Sequence, residues 1–189
     1  MKNILLMMAV IFGLQVAAEA KVEGTRRFTE VIDSVLYFGG VARSDSTRNP
    51  LTSSALSNLC NKGFGESIYL YDHNAVDTNV SCGAGNLRYH FIDWRKPEYI
   101  MKRIFQNYSG DKGAVYVHCW NGVHASNAIA AVALKQFCGW SDDQAIDWWD
   151  AHSAGSDGDV RKWSVRRIQK YKVDSSMQLS AEDQKILCP

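Results

Sequence analysis

The stretch from Val115 to Ser126, VYVHCWNGVHAS, constrains this chain more than any other. A short apolar run, Ala114 to Val117, reads as a strand leading into His118 and Cys119. Gly122 and Ser126 follow, and Ser126 to Phe137 reads as a helix apolar nearly all round, which argues for burial. A tight loop between a strand and a helix gathers backbone N–H groups that have no intrahelical partner. With the helix dipole, these amides favour negative charge. The same field favours the thiolate form of a thiol held there. A nucleophilic sulfur beside an anion-binding nest is the arrangement needed to attack a phosphate ester.

Strands and helices alternate on either side of this loop. Val31 to Phe38 reads as one strand ended by Gly39-Gly40, and Ala42 to Pro50 as polar and turn-rich. Thr52 is the expected N-cap of a helix to Asn61, with Ala55, Leu56, Leu59 and Cys60 on its buried face and Gly63 as its stop. Glu66 to Tyr71 reads as a second strand, Asp72 to Asn86 as loop, and Leu87 to Ile92 as a third strand. Pro97 opens a helix to about Tyr108, with Ile100, Ile104, Phe105 and Tyr108 as its apolar stripe. Ser141 and Gln144 form a capping box for the helix Ala145 to Asp150. Ala151 to Asp159 reads as loop, Arg161 to Tyr171 as a further helix, and the tail after Val173 carries little pattern. The alternation implies crossover connections. The expected fold class is therefore α/β in three layers, with a mainly parallel central sheet of about four or five strands flanked by helices.

Residues 1–20 read as a secretory signal peptide: Lys2, an apolar core from Ile4 to Val16, and the small-x-small site Ala18-Glu19-Ala20. The core is shorter than the roughly 20 residues a bilayer span needs. An uncleaved anchor is the competing reading. Residues 21–189 form one domain's worth of chain, expected to be exported, periplasmic or secreted, with no stable membrane span after cleavage. A formal net charge of +1 gives no signature of nucleic-acid binding. No metal-ligand spacing appears among the cysteines, and no metal or cofactor is expected. Of the six Trp, Trp140, Trp148, Trp149 and Trp163 cluster late, as a helical core would place them. Arg161, Lys162, Arg166, Arg167, Lys170 and Lys172 make a basic helix face, by default a solvated one.

The cysteines are Cys60, Cys82, Cys119, Cys138 and Cys188. In an oxidising compartment an odd count is met most simply by two disulfides and one free thiol, Cys119. Sequence does not fix the pairing. Joining neighbours in sequence order, with Cys119 set aside, gives Cys60–Cys82 and Cys138–Cys188.

The loop resembles that of the cysteine-dependent phosphatases, the protein tyrosine and dual-specificity phosphatase superfamily. Its signature is His-Cys, five residues, Arg, then Ser or Thr. His118, Cys119, Gly122 and Ser126 match in register, and the Arg position is Ala125. The resemblance extends from about residue 30 to about 172: "LYFGG", "GFGESIYLYD" and "CGWSDDQAIDWW" are similar to segments of the compact dual-specificity-like members. It implies a dual-specificity-phosphatase-like fold. It assigns Cys119 as nucleophile and Asp93 as general acid, with Asp72 as runner-up. The phosphate-binding loop would be His118, Trp120, Asn121, Gly122, Val123, His124, Ala125 and Ser126. His118 would order the loop, and the Ser126 hydroxyl would bond the sulfur.

The missing Arg removes a planar fork that clamps two phosphoryl oxygens, which no point charge replaces. Loss of such a donor commonly costs on the order of 100- to 1000-fold in rate. His124 sits one position early, so it is expected to point elsewhere. Arg43 and Arg95 are the rim cations best placed to stand in. Two readings follow: a weak or atypical phosphate-ester hydrolase, or a catalytically impaired pseudophosphatase serving as a phosphate/anion-binding or protein-interaction module. Thiol redox chemistry at Cys119 is a third. The expected partner is a phosphorylated small molecule or a phosphoprotein.

Overall fold

A computed structural model describes residues 22–42, 50–71 and 76–189. The expected signal peptide, Arg43 and Asp72 lie outside the described residues.

The strands are β1 (Thr25–Ile32), β2 (Leu36–Val41), β3 (Phe64–Tyr69), β4 (Asp77–Cys82), β5 (Gly85–Phe91) and β6 (Ala114–His118). The helices are α1 (Ser53–Asn61), α2 (Pro97–Ser109), α3 (Ala125–Cys138), α4 (Asp142–His152), α5 (Gly158–Lys170) and α6 (Ala181–Leu187). One sheet carries the order β1-β2-β6-β3-β5-β4. Its inner pairs, β2–β6, β6–β3 and β3–β5, are parallel, while β1 and β4 add antiparallel edges.

Period-2 alternation divides the strands between two cores. Leu36, Phe38, Ile68, Leu70, Val115 and Val117 face a core built with α2, α3, α4 and α5. Tyr69, Leu87, Tyr89 and Tyr116 face the other, closed by Ala55, Leu56, Leu59 and Cys60 of α1. The molecule is thus a three-layer α/β structure with α1 on one face and the main helices on the other. Leu56 and Leu59, the two large aliphatic side chains buried in α1, contribute about 1.5–3 kcal/mol each.

Local signals explain most helix boundaries. The Thr52 side chain caps α1 by accepting from the Ala55 amide at 3.2 Å. The Ser141–Gln144 capping box is formed in both directions, at 2.9 and 3.2 Å, and starts α4 at Asp142. Pro97 opens α2. Gly139 ends α3 in the left-handed conformation. Nearly every residue of α3 is buried, as its apolar circumference requires. Its buried Lys135 donates to the C-terminal carbonyls of the α5 region, Ile168 O at 2.6 Å and Tyr171 O at 3.2 Å, and pairs with Asp142.

Several expectations are corrected. Val31 to Phe38 is not one strand: the chain reverses between Ile32 and Leu36, so β1 and β2 form an antiparallel hairpin. Ser34 takes a positive φ in that turn. The supposed loop Asp72 to Asn86 contains β4, a polar edge strand whose exposure removed the apolar pattern. The sheet consequently has six strands rather than four or five. In α2, Met101 and Asn107 are buried, while Phe105 and Tyr108 only flank the core. The tail after Val173 holds α6, fixed by the Cys138–Cys188 disulfide. Trp149 is fully buried, but Trp163 is 57% exposed.

Both expected disulfides are present, Cys60–Cys82 and Cys138–Cys188, and Cys119 is the free thiol. No helix among the described residues is long and apolar enough to cross a membrane.

Candidate active site

Cys119 follows β6, a central strand, and α3 begins six residues later. Backbone-to-backbone packing fixes the loop between them. The Cys119 amide donates to Gly39 O at 3.2 Å, the Val41 amide donates to Trp120 O at 3.0 Å, and Gly40 bridges Asn121. Gly122 has φ +72°, and a Cβ there would sit 2.7 Å from Gly39 C and Gly40 N. Glycine is required on both counts.

Within this frame the Cys119 sulfur lies 3.2 Å from Ser126 Oγ, and the Ser126 hydroxyl donates to Gly39 O at 2.9 Å. A hydroxyl has one proton. While Ser126 donates to Gly39, it accepts from the thiol. On ionisation of Cys119 the hydroxyl must turn toward sulfur. Ser126 therefore couples the loop to the ionisation state of the Cys119 sulfur. Both residues are buried.

His118 lies beneath the loop, buried among Tyr69, Tyr89 and Tyr116, with ring centroids 5.0, 5.6 and 5.6 Å away. Burial pushes its pKa down to about 3, so the ring is neutral. Its Nδ1 can only donate to the Cys119 carbonyl, at 3.3 Å. Nε2 then accepts from Tyr89 Oη at 3.1 Å, whose oxygen in turn accepts from the Leu51 amide. His118 orients the loop and holds no proton for exchange with substrate.

Ala125 is 2% exposed and is the first residue of α3. His124 does not replace the missing Arg: its Nε2 donates to Ser156 Oγ at 2.8 Å, since the single Ser156 proton goes to Ser153 O. Burial and then the Arg27 charge lower the His124 pKa. Trp120 turns toward β3, donating from Nε1 to Tyr69 Oη at 2.8 Å and packing on Tyr71. Asn121 and Gly122 form the turn against Gly40, and Val123 is buried.

Asp93 and Arg95 pair with each other. They follow β5, which is separated from β6 by β3. Arg95 binds Asp93 through its Nε, at 2.9 and 2.8 Å, and its Nη2, at 2.5 Å, with its own amide at 2.8 Å from the same carboxylate. These bonds from Arg95 hold the Asp93 pKa below the ordinary carboxylate range.

Arg27 is a cation near the loop that the sequence reading did not single out. It sits at a register irregularity of β1 with φ +50°. Such bulges re-aim side chains. Its carbonyl lies beside Gly39, and its charge reaches His124. The consecutive Arg26-Arg27 was visible, but the hairpin that brings it to the loop was not. Among the described residues no group of three or more His, Cys, Asp or Glu is arranged to hold a metal.

No family model matches the chain, and a search of curated proteins gives no match. Solved structures do match. Tk-PTP in its active form is 13% identical, with 77% of this chain and 97% of that one covered at a TM-score of 0.54. The core catalytic domain of the PP-IP phosphatase SIW14 from S. cerevisiae is 12% identical, with 88% and 93% covered at 0.55. A mouse putative dual specificity phosphatase is 18% identical, with 82% and 89% covered at 0.52. With β6, the Cys119 loop and α3 in the expected order, the chain has the fold of the protein tyrosine and dual-specificity phosphatases, the cysteine-dependent phosphatase superfamily.

Proposed function

We propose that this protein is an exported, phosphatase-like oxyanion-binding protein whose Cys119 loop retains the nucleophile but is catalytically impaired. The observation that carries this reading is the buried Cys119–Ser126–Gly39 chain at the start of α3, with Ala125 buried where the clamp would stand. The helix N-terminus and sulfur position favour an anion. The bidentate donor that stabilises the transition state is missing from position 125. Export is supported by the two disulfides and the signal-like N-terminus.

Arg27 favours a second reading, a weak hydrolase in which this cation partly replaces the lost fork. In it the Cys119 thiolate forms a bond to phosphorus as the ester P–O bond breaks. Water then attacks the phosphorus and releases phosphate and the thiolate. Asp93 is the acid candidate for the leaving oxygen, and it serves only when Arg95 releases it, because an ionised carboxylate has no proton to give. Aryl phosphates, which leave without protonation, are the substrates such a site would cleave.

The test uses mature protein with p-nitrophenyl phosphate and, separately, tungstate titrated by calorimetry. The expected result is oxyanion binding with turnover about 100-fold or more below an ordinary phosphatase of this fold. Turnover at the ordinary rate, abolished by Cys119→Ser, would refute impairment. No oxyanion binding would refute the site.

A further inference from the structure

Away from the Cys119 loop, a groove of about 740 Å³ runs between the start of α2 and the outer face of α5. That size falls in the roughly 300–1,000 Å³ range of small-molecule sites. Arg95, Arg166, Arg167, Lys170 and Lys172 line it against one acid, Glu98. The concentration is uneven for a chain of formal net charge +1. Trp163, Arg166, Arg167 and Lys170 recur at helical spacing, so α5 turns one continuous face to the groove.

Among the described residues, Arg88, Arg95, Arg103, Lys135 and Arg161 each reach a carboxylate, whereas Arg166, Arg167, Lys170 and Lys172 form no salt bridge. Arg167 is held in place without being neutralised. Its guanidinium lies 4.3 Å over the Trp94 ring, and its Nη1 donates to Arg95 O at 2.9 Å. Its Nε is buried and has no acceptor. Buried donors without partners are uncommon in native proteins and point to an absent acceptor. Burial also lowers the Arg167 pKa, with Asp93 and Glu98 opposing that shift from nearby.

The groove also carries apolar residues. Trp94, Pro97 and Tyr171 line it, and Trp163 is 57% exposed at its edge. A tryptophan left in water beside uncompensated cations suits a ligand with an apolar face and an anionic end.

We propose that this groove binds a small organic anion whose flat apolar body lies on Trp163 and whose carboxylate, sulfonate or phosphate meets Arg166, Arg167 and Lys170. Charge complementarity selects an anion, and the volume selects a small molecule over a protein segment. None of the Cys119 loop lines the groove, so the site is separate from the oxyanion loop.

The probe is 8-anilinonaphthalene-1-sulfonate, titrated into mature protein and followed by its own fluorescence and by tryptophan quenching. One site per chain is expected, with affinity falling as salt rises. Arg166→Ala, Lys170→Ala and Trp163→Ala should each weaken binding about tenfold, the scale of one charge-assisted or stacking contact. Cys119→Ser should leave it unchanged, which separates this site from the loop. Uncharged N-phenyl-1-naphthylamine should bind at least about tenfold more weakly. The replaced side chains are exposed, so thermal melts should show the variants folded. Equal affinity for the uncharged analogue, or no effect of the three substitutions, overturns the proposal. So does a dimer that Trp163→Ala dissolves, which would make the groove a self-association face. Binding of polyglutamate without binding of the probe would make it a protein-docking face and also overturns it.

Discussion

Replacing Ala125 with Arg tests the loop most directly. Ala125 is 2% exposed at the first position of α3. A guanidinium there has no short route to water, so without an anion it is a buried charge lacking a partner. That state commonly costs about 3–5 kcal/mol, and the helix N-terminus adds an unfavourable ~0.3–1 kcal/mol. With a bound oxyanion the fork makes two charge-assisted hydrogen bonds of about 1.5–3 kcal/mol each. Fixing the side chain offsets about 2 kcal/mol of this. The net gain is about 1–4 kcal/mol, centred near a 100-fold tighter tungstate complex. Two measurements on Ala125→Arg are expected to move in opposite directions. The urea midpoint without tungstate should fall below wild type, and calorimetric tungstate affinity should rise about 100-fold. Hydrolysis of p-nitrophenyl phosphate should rise with it. A destabilised variant whose tungstate affinity stays at the wild-type value would refute the reasoning, because the side chain would then point away from the loop and position 125 would not be the clamp position.

Other expected outcomes concern the frame around the loop. His118 is neutral in the fold with a pKa of about 3 and protonated below about 6.5 when unfolded, so the unfolded chain binds more protons between these values. Its contribution is complete above about pH 6.5 and is lost as pH falls toward 3, with a slope of about 1.4 kcal/mol per pH unit. Urea melts across that window should show the slope, and His118→Gln should reduce it. Gly122→Ala should destabilise by about 1–3 kcal/mol through its left-handed backbone. It should also abolish tungstate binding, and a variant that binds normally would show the loop to be more forgiving than its packing against Gly39 and Gly40. The disulfides span 22 and 50 residues, so chain entropy gives about 3 kcal/mol for Cys60–Cys82 and about 4 kcal/mol for Cys138–Cys188. Paired Cys→Ala variants should lose stability in that order in urea. Arg27→Ala should lower residual aryl phosphate turnover about tenfold if Arg27 substitutes for the fork, and an unchanged rate would leave that role empty.

The features legible in sequence are those set by neighbours along the chain. The Thr52 cap, the Ser141–Gln144 box and Pro97 act within one helical turn, and each starts a helix, α4 three residues before the expected Ala145. The unbroken apolar surface of α3 required burial wherever the chain went. The Cys119 loop could be read because His118, Cys119, Gly122 and Ser126 stand close together along the chain, although packing against Gly39 and Gly40 fixes its conformation. The disulfide pairs match a joining of neighbours in sequence order that the sequence itself did not fix, and the fold gives them their Cα separations of 6.0 and 5.7 Å.

What the tertiary structure decided was every relation between distant segments. The β1–β2 hairpin was hidden inside one apolar-looking run, and β4 was hidden because an exposed edge strand needs no apolar alternation. The Arg27 carbonyl comes beside Gly39 only because β1 pairs with β2. Arg95 reads from sequence as a rim cation, and the structure adds that it pairs with Asp93 two residues away. The groove cations of α5 looked like an ordinary solvated face until Trp94, Arg95 and Pro97 were packed opposite them. A local pattern specifies a turn or a face. Charge, burial and reach depend on which segment packs against it, and that is settled only when the sheet assembles.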